Sequence, residues 1–342
     1  MLVTGGAGYI GSVVCAQLIE AGHEVVVLDD LSTGHAEAVP AGAQLVRGDL
    51  RTGAGRLLAA GVDAVLHFAA RSLVAESAAR PALYWGQNLG GTLALLEAMR
   101  QAGVRAIVFS STAAVYGEPE SVPIEESAPA RPASPYGASK IAVDTALAEH
   151  ARMHGIGAVS LRYFNVAGAY QQAAGGWLGE RHRPETHLIP SILAVALDAA
   201  GQVSVFGDDY PTADGTCVRD YIHVSDLARA HLLALAACVP GEHKIYNLGS
   251  GTGYSNTEVL AACRDVTGRQ IPARIAPRRP GDPAVLIASS ARIRAELGWQ
   301  AEKTLRDMVA DAQAFELSRR AAEAPPRSAR LSPEPQPAPG AG

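Results

Sequence analysis

A phenol and an ammonium stand four residues apart in Tyr136-Gly137-Ala138-Ser139-Lys140, and on a helix that spacing puts both on one face. Pro135 precedes Tyr136 and suits a helix start. Upstream, Ser110-Ser111-Thr112 closes an apolar run with three hydroxyls. The set has a coherent use in proton transfer. A tyrosine with an ordinary pKa of about 10 is only roughly 0.1% phenolate at pH 7, a poor base. A neighbouring lysine cation favours the phenolate by about 1–3 units. Tyr136 then takes the proton of a substrate hydroxyl, and Thr112 hydrogen-bonds that hydroxyl and steadies it.

An alcohol carbon that loses its O–H proton can also give up hydride, and the start of the chain holds a site for a hydride carrier. Residues 4–11 read Thr-Gly-Gly-Ala-Gly-Tyr-Ile-Gly directly behind the apolar stub Met1-Leu2-Val3. Gly5, Gly8 and Gly11 space a tight turn between a strand and the amphipathic segment 10–21. A diphosphate needs such a turn, free of Cβ atoms, followed by a helix N-terminus. Segment 23–28 reads as the second strand and ends in Asp29, placed to accept both hydroxyls of an adenine ribose. Asp30 follows where a 2′-phosphate needs an arginine, so the cofactor implied is NAD rather than NADP. Its oxidised nicotinamide is a second cation favouring the Tyr136 phenolate.

These groups need a sheet edge to meet on. Strand patterns recur at 44–47, 64–68, 106–110 and 158–162, with long helical stretches at about 81–102 and 134–154. Such alternation predicts an α/β fold with a doubly wound, Rossmann-like parallel sheet and ligands across the carboxyl ends of its strands. The NAD-binding domain is expected over 1–166. A smaller interleaved C-terminal substrate lobe is expected over 167–320, with elements from about 203–240 packing back on the first domain. Residues 321–342 carry six prolines and read as a disordered tail.

Composition narrows the partners. With 342 residues, net charge −5 and no long basic run, the chain has no electrostatic footprint for nucleic acid. No apolar run approaches the roughly 18 residues of a membrane span, and the first strand and phosphate loop stand where a leader would be. Cys15, Cys217, Cys238 and Cys263 are scattered, as reduced thiols are. These features point to a cytoplasmic enzyme with no membrane partner. His182 and His187 read as lacking metal-ligand company, and no metal is expected.

The combination of T-G-G-x-G-Y-I-G, S-S-T followed by V-Y-G, Y-x-x-x-K and R-D-Y-I-H-V resembles the extended short-chain dehydrogenase/reductases. Within them it is similar to the UDP-glucose 4-epimerases, as are His67-Phe68-Ala69-Ala70, Leu161-Arg162-Tyr163-Phe164-Asn165, 206–212 and 276–282. The resemblance covers residues 1 to about 315. It implies that hydride leaves C4 of a UDP-hexose, that the 4-keto sugar turns over, and that hydride returns to its other face. It assigns Gly5, Gly8, Tyr9, Ile10 and Gly11 to the cofactor pyrophosphate and Asp29 to its ribose. Asp49 and Leu50 flank adenine, Phe68, Ala69, Asn88 and Tyr163 line the cofactor channel, and Tyr136 and Lys140 meet both cofactor and substrate. Thr112, Asn165, His187, Leu188, Phe206, Arg219, Arg279 and Asp282 fall to the UDP-sugar. Of these, Arg219 and Arg279 face the diphosphate, Phe206 lies near uracil and Asp282 binds the ribose. Leu286, four past Asp282, would border the sugar.

The resemblance also implies a homodimer, with segments 81–102 and 134–154 pairing into a four-helix bundle. Leu93, Leu96, Ala142 and Leu147 belong either to that face or to the core. His223 reads as a structural histidine and Arg278 as a solvated neighbour of Arg279. A lysine frequent in the family is Ser72 here, beside Arg71, and Asp30 replaces a frequent asparagine. Three alternatives stand beside the epimerase reading. A nucleotide-sugar dehydratase would need the Asp-Glu pair that usually follows the threonine, and Ala113-Ala114 stand there. An epimerase of UDP-N-acetylglucosamine or UDP-glucuronate would differ in few pocket positions. A non-catalytic NAD-binding protein would be expected to lose the tyrosine–lysine pair.

Overall fold

Seven short segments rich in valine, isoleucine and leucine lie side by side, all parallel, in a computed structural model that describes residues 1–198, 200–279 and 281–323. They are β1 (Leu2–Thr4), β2 (Val25–Asp29), β3 (Ala43–Arg47), β4 (Val65–His67), β5 (Ala106–Thr112), β6 (Gly157–Tyr163) and the strand His243–Leu248. Their order across the sheet is His243–Leu248, β6, β5, β4, β1, β2, β3. The winding reverses between β1 and β4, and an open α/β sheet binds its ligand at that point. Register sets the site. Thr4 pairs with Leu28 on one side and His67 on the other, and Thr112 pairs with Tyr163. The loops carrying the glycines, Asp29, Phe68 and Thr112 therefore leave one edge of the sheet together.

Near-continuous apolar strands demand cover on both faces. One face packs against α1 (Tyr9–Glu20) and the helix Val224–Ala236, through Val13, Val14, Leu18, Leu227 and Ala230. The other packs against Leu50–Leu58, Gly91–Ala102 and Pro135–His154, through Leu58, Leu95, Met99, Val143 and Leu147. The last of these helices starts and stops as its sequence dictates. Ser134 Oγ accepts from Gly137 N at 3.2 Å, Pro135 opens the first turn, and Gly155 closes the helix at φ 68°.

Two elements differ from the sequence expectation. The helix expected at 81–102 is interrupted: Pro81–Tyr84 runs into a π-helical turn, Trp85–Gly90, before Gly91–Ala102. Gly86, Gly90 and Gly91 weaken the ordinary ladder there. Asn88 sits in the turn and anchors it by side-chain hydrogen bonds to the Arg71 backbone. The strand His243–Leu248, unrecognised in the sequence, returns from the second lobe to pair with β6.

The smaller lobe is built on Val218–His223, which pairs with Asn165–Ala167, Gly253–Ser255 and Val285–Leu286. Val203–Phe206 pairs with Ala273–Ala276 in a separate two-stranded sheet. Of the expected proline-rich tail, residues 321–323 end the helix Leu305–Glu323, and 324–342 lie outside the described residues.

Candidate active site

A cleft of about 490 Å³ follows the carboxyl edge of the sheet and opens between the two lobes. Gly5, Gly8, Tyr9, Ile10 and Gly11 form one wall. Here the glycines have separable reasons. A Cβ on Gly5 would lie 2.6 Å from Ala69 N, and one on Gly11 would lie 2.3 Å from Gly5 O, so the fold itself forbids both. A Cβ on Gly8 would meet only Gly5 O, at 3.4 Å, an ordinary contact. Gly8 is bare toward the cleft, at the N-cap of α1, where a diphosphate must approach backbone N–H groups.

Asp29 lies beside this wall, held by Ala7 N–H at 3.0 Å and Leu31 N–H at 2.8 Å. Burial pushes its carboxyl up and these two donors pull it back. Leu31 is the sole non-glycine residue at positive φ among the described residues (φ 60°), and this strained turn delivers its N–H to Asp29. Asp49 and Leu50 also line the cleft. Asp49 caps Leu50–Leu58 and pairs with Arg51 at 3.0 Å, which holds its carboxyl below the usual range. Phe68, Ala69 and Tyr163 line the deeper part. Asn88 does not reach the cleft: it is buried behind it, bonded to Arg71 and to Ser139 Oγ at 3.0 Å.

Tyr136, Lys140 and Thr112 converge at the base of the cleft. Lys140 Nζ donates to Ser110 O at 2.8 Å, sits 4.7 Å from the centre of the Phe109 ring and 5.9 Å from that of Tyr136. Burial lowers Lys140 to about 7 against the opposing charge of Asp144. Burial also raises the Tyr136 phenol, while the Thr112 hydroxyl works the other way. The sequence reading expected lysine to depress the phenol. In the structure desolvation dominates both groups, and the ammonium is engaged by a carbonyl rather than by the phenol oxygen. Tyr163 OH bonds Ser110 Oγ and thereby fixes the strand end that holds Lys140. Beneath them His67 bridges Thr4 (2.6 Å) and Thr92 (2.9 Å), and burial keeps it neutral, down to about 3.

On the substrate side, Asn165, His187, Leu188 and Leu286 line the cleft. Phe206, Arg219, Arg279 and Asp282 are not on its wall and form a neighbouring cluster. Arg219 pairs with Asp282, and the Arg279 guanidinium stacks 4.1 Å over Phe206. The register Arg219↔Leu286 joins this cluster to the cleft. Arg278 is more than solvated: it pairs with Asp209 at 2.5 Å and stacks 4.1 Å over Tyr210. His223 is structural, its Nδ1 accepting from Ser225 N at 3.0 Å to cap a helix.

Sequence reasoning missed two groups. Asp220, fully buried inside R-D-Y-I-H-V, accepts from Ser250, Gly251 and Ala288 N–H and so holds the segment that carries Leu286. The available signal was a carboxylate beside Arg219 within an otherwise strand-like run. The expectation that His182 and His187 lack ligand company is corrected. Glu180 and Glu185 converge on both imidazoles. The spacing E-x-H-x-x-E-x-H was legible, but the loop that folds it into one cluster was not. Burial opposes the Glu180 charge, yet the two imidazoles hold that carboxyl down to about 2.

Residues 1–249 match the model of the NAD dependent epimerase/dehydratase family. The chain belongs to that family. It is 55% identical over 317 residues to a UDP-glucose 4-epimerase of Corynebacterium glutamicum, covering 92% of this chain and 95% of that protein. It is 57% identical over 320 residues to one from Streptomyces lividans, covering 91% and 94%. Among solved structures it resembles the UDP-glucose-4-epimerase of Stenotrophomonas maltophila with bound NAD and formylated UDP-arabinopyranose. That match has a TM-score of 0.88 at 41% identity, over 94% of this chain and 98% of that one. As a member of the NAD dependent epimerase/dehydratase family, the chain has a glycine-lined wall with Asp29 beside it in the cleft. After Thr112 come Ala113 and Ala114, neither able to move a proton. No described helix is long and apolar enough to cross a membrane.

Proposed function

We propose that the protein interconverts UDP-glucose and UDP-galactose with tightly held NAD. The observation that carries this is the convergence of Tyr136, Lys140 and Thr112 beside the dinucleotide cradle, with nothing after Thr112 to drive elimination. Bound NAD supplies the acceptor, and then the donor, of a hydride at C4 of the hexose. Thr112 holds the C4 hydroxyl, and Tyr136 takes its proton as hydride leaves the same carbon. Tyr136 returns that proton after the 4-keto sugar has turned, so net redox change is zero. Lys140 lends positive charge below the phenol, and Ser110 O aims it. Incubating the purified protein with UDP-galactose should yield UDP-glucose without added oxidant or reductant. Absence of conversion overturns the reading.

NAD selectivity rests on the two carboxylates at the end of β2, Asp29 and Asp30. Denatured protein should release NAD⁺ or NADH, and Asp29→Ala should retain less of it. NADP as the main released species would reverse the assignment of Asp29 and Asp30.

Leu286 sets the sugar preference in this reading. Its branched side chain lines the cleft, and its bulk should crowd an acetamido group there. A pocket rejecting one small group discriminates by about 10–200-fold. Wild type should therefore prefer UDP-glucose to UDP-N-acetylglucosamine within that range, and Leu286→Ser should narrow the gap. Equal kcat/KM for both sugars in wild type would remove Leu286 from this role.

The protein acts in the cytoplasm as a homodimer in this proposal. Leu96 and Leu147 belong to the core, whereas Leu93 stays exposed on Gly91–Ala102, the one of the four candidate leucine and alanine positions that is free for such pairing. Light scattering should give twice the 35.5 kDa chain mass. A monomer would refute the pairing.

A further inference from the structure

Between the substrate cleft and a second cavity of about 250 Å³ stands a wall made by Glu180, His182, Glu185 and His187. One donor atom from each lies within 4.8 Å of all the others, and no other group of described residues meets that condition. Glu180 is nearly enclosed, its side chain 5% exposed. His182 Nδ1 is buried 2.9 Å from Glu180 Oε1 yet makes no hydrogen bond of acceptable geometry. The two imidazoles meet edge to face, 5.2 Å apart, and both turn Nδ1 toward the same carboxylate oxygen. His187 Nδ1 is hydrogen-bonded to that oxygen, and His182 Nδ1 beside it is left without a partner. A single dication satisfies both nitrogens and both carboxylates.

We propose that Glu180, His182, Glu185 and His187 bind one divalent first-row transition metal of the Zn²⁺ class. Two nitrogens and two carboxylates suit such a metal, whereas Mg²⁺ and Ca²⁺ favour all-oxygen sets. The surrounding structure is built to hold the ligands. The Arg181 carbonyl is bonded to His35 Nε2 at 3.1 Å and its guanidinium pairs with Glu37 at 3.0 Å, which pins the segment to the dinucleotide-binding side. Cavities on both sides give the ion a way in. The consequence reaches the cleft. A metal on His187 Nδ1 leaves Nε2–H as the ring's donor, on a side chain that lines the substrate site. This last link rests on the UDP-hexose reading, and the metal site does not.

The test uses tag-free, NAD-containing protein stripped of metal with a chelator, titrated with Zn²⁺ by calorimetry and with Co²⁺ by visible absorption. Wild type should bind about one Zn²⁺ per chain at micromolar concentration or tighter, and its Co²⁺ form should show tetrahedral bands. Loss of a mere hydrogen-bond partner of a metal ligand costs about 10–100-fold in affinity. His182→Ala and Glu185→Gln, which remove ligands, should lose at least that much. Zn²⁺ should raise the melting temperature of wild type and of neither variant, with the NAD content of all three equal. Wild type that binds no Zn²⁺ tighter than millimolar, or variants that bind as wild type does, overturns the proposal. Epimerase activity is not read, so either outcome leaves the assignment of the reaction untouched.

Discussion

Tyr136→Phe should leave the fold and the NAD content intact and cut kcat by about 10²–10⁴-fold, the usual worth of a positioned acid–base group. The structure explains why folding should survive. The phenol oxygen faces the cleft and Thr112, while the ring packs edge-on against Tyr84 at 6.3 Å, a contact phenylalanine keeps. Burial already raises this phenol, so the protein alone does not make it a base. Its activation depends on positive charge supplied at the site, and without the hydroxyl there is nothing to activate. Measuring kcat with UDP-galactose beside the absorbance of bound NAD separates loss of chemistry from loss of cofactor. Near wild-type turnover would remove Tyr136 from the role.

Lys140→Met should lower activity and move the optimum to higher pH. The sign follows from the charges: the cation stabilises phenolate, and its removal makes Tyr136 a weaker acid. A shift of about 1–3 units reduces the phenolate fraction at pH 7 by about 10–10³-fold, and part of the rate returns as pH rises. Burial lowers the pKa of Lys140 itself to about 7, so the cation it offers the phenol is progressively lost as pH rises past that value. Methionine keeps the length and the contact with Phe109 but donates nothing to Ser110 O. An unchanged pH profile would count against this account.

The cofactor half of the site was legible because its signals are local. Gly5, Gly8, Gly11 and Asp29 lie on one strand–loop–helix–strand unit, where spacing alone fixes geometry. Tyr136 and Lys140 were legible for the same reason, four residues apart on one helix. The direction of their pKa shifts was not, because burial is a tertiary quantity. Asn88 shows what spacing leaves out: its motif points to the cofactor channel, and the bonds that tie its side chain to the Arg71 backbone come from a π-helical turn that no local pattern announced. Arg219 and Asp282 lie 63 residues apart, and no pattern in the sequence foretold that they neutralise one another. His243–Leu248 escaped notice for a related reason. Its apolar residues are mixed with His243, Lys244 and Asn247, as befits an outer strand partly open to solvent.

That outer strand makes the two lobes inseparable. The polypeptide leaves the sheet after β6, builds part of the smaller lobe, returns through Val224–Ala236 and His243–Leu248, and departs again. A chain cut after residue 166 would strip β6, buried along all seven of its residues, of its neighbour and convert it into a bare apolar edge. The dinucleotide half, expressed alone, should therefore aggregate rather than fold as an independent module. Any recombination that preserves this protein must carry both halves together.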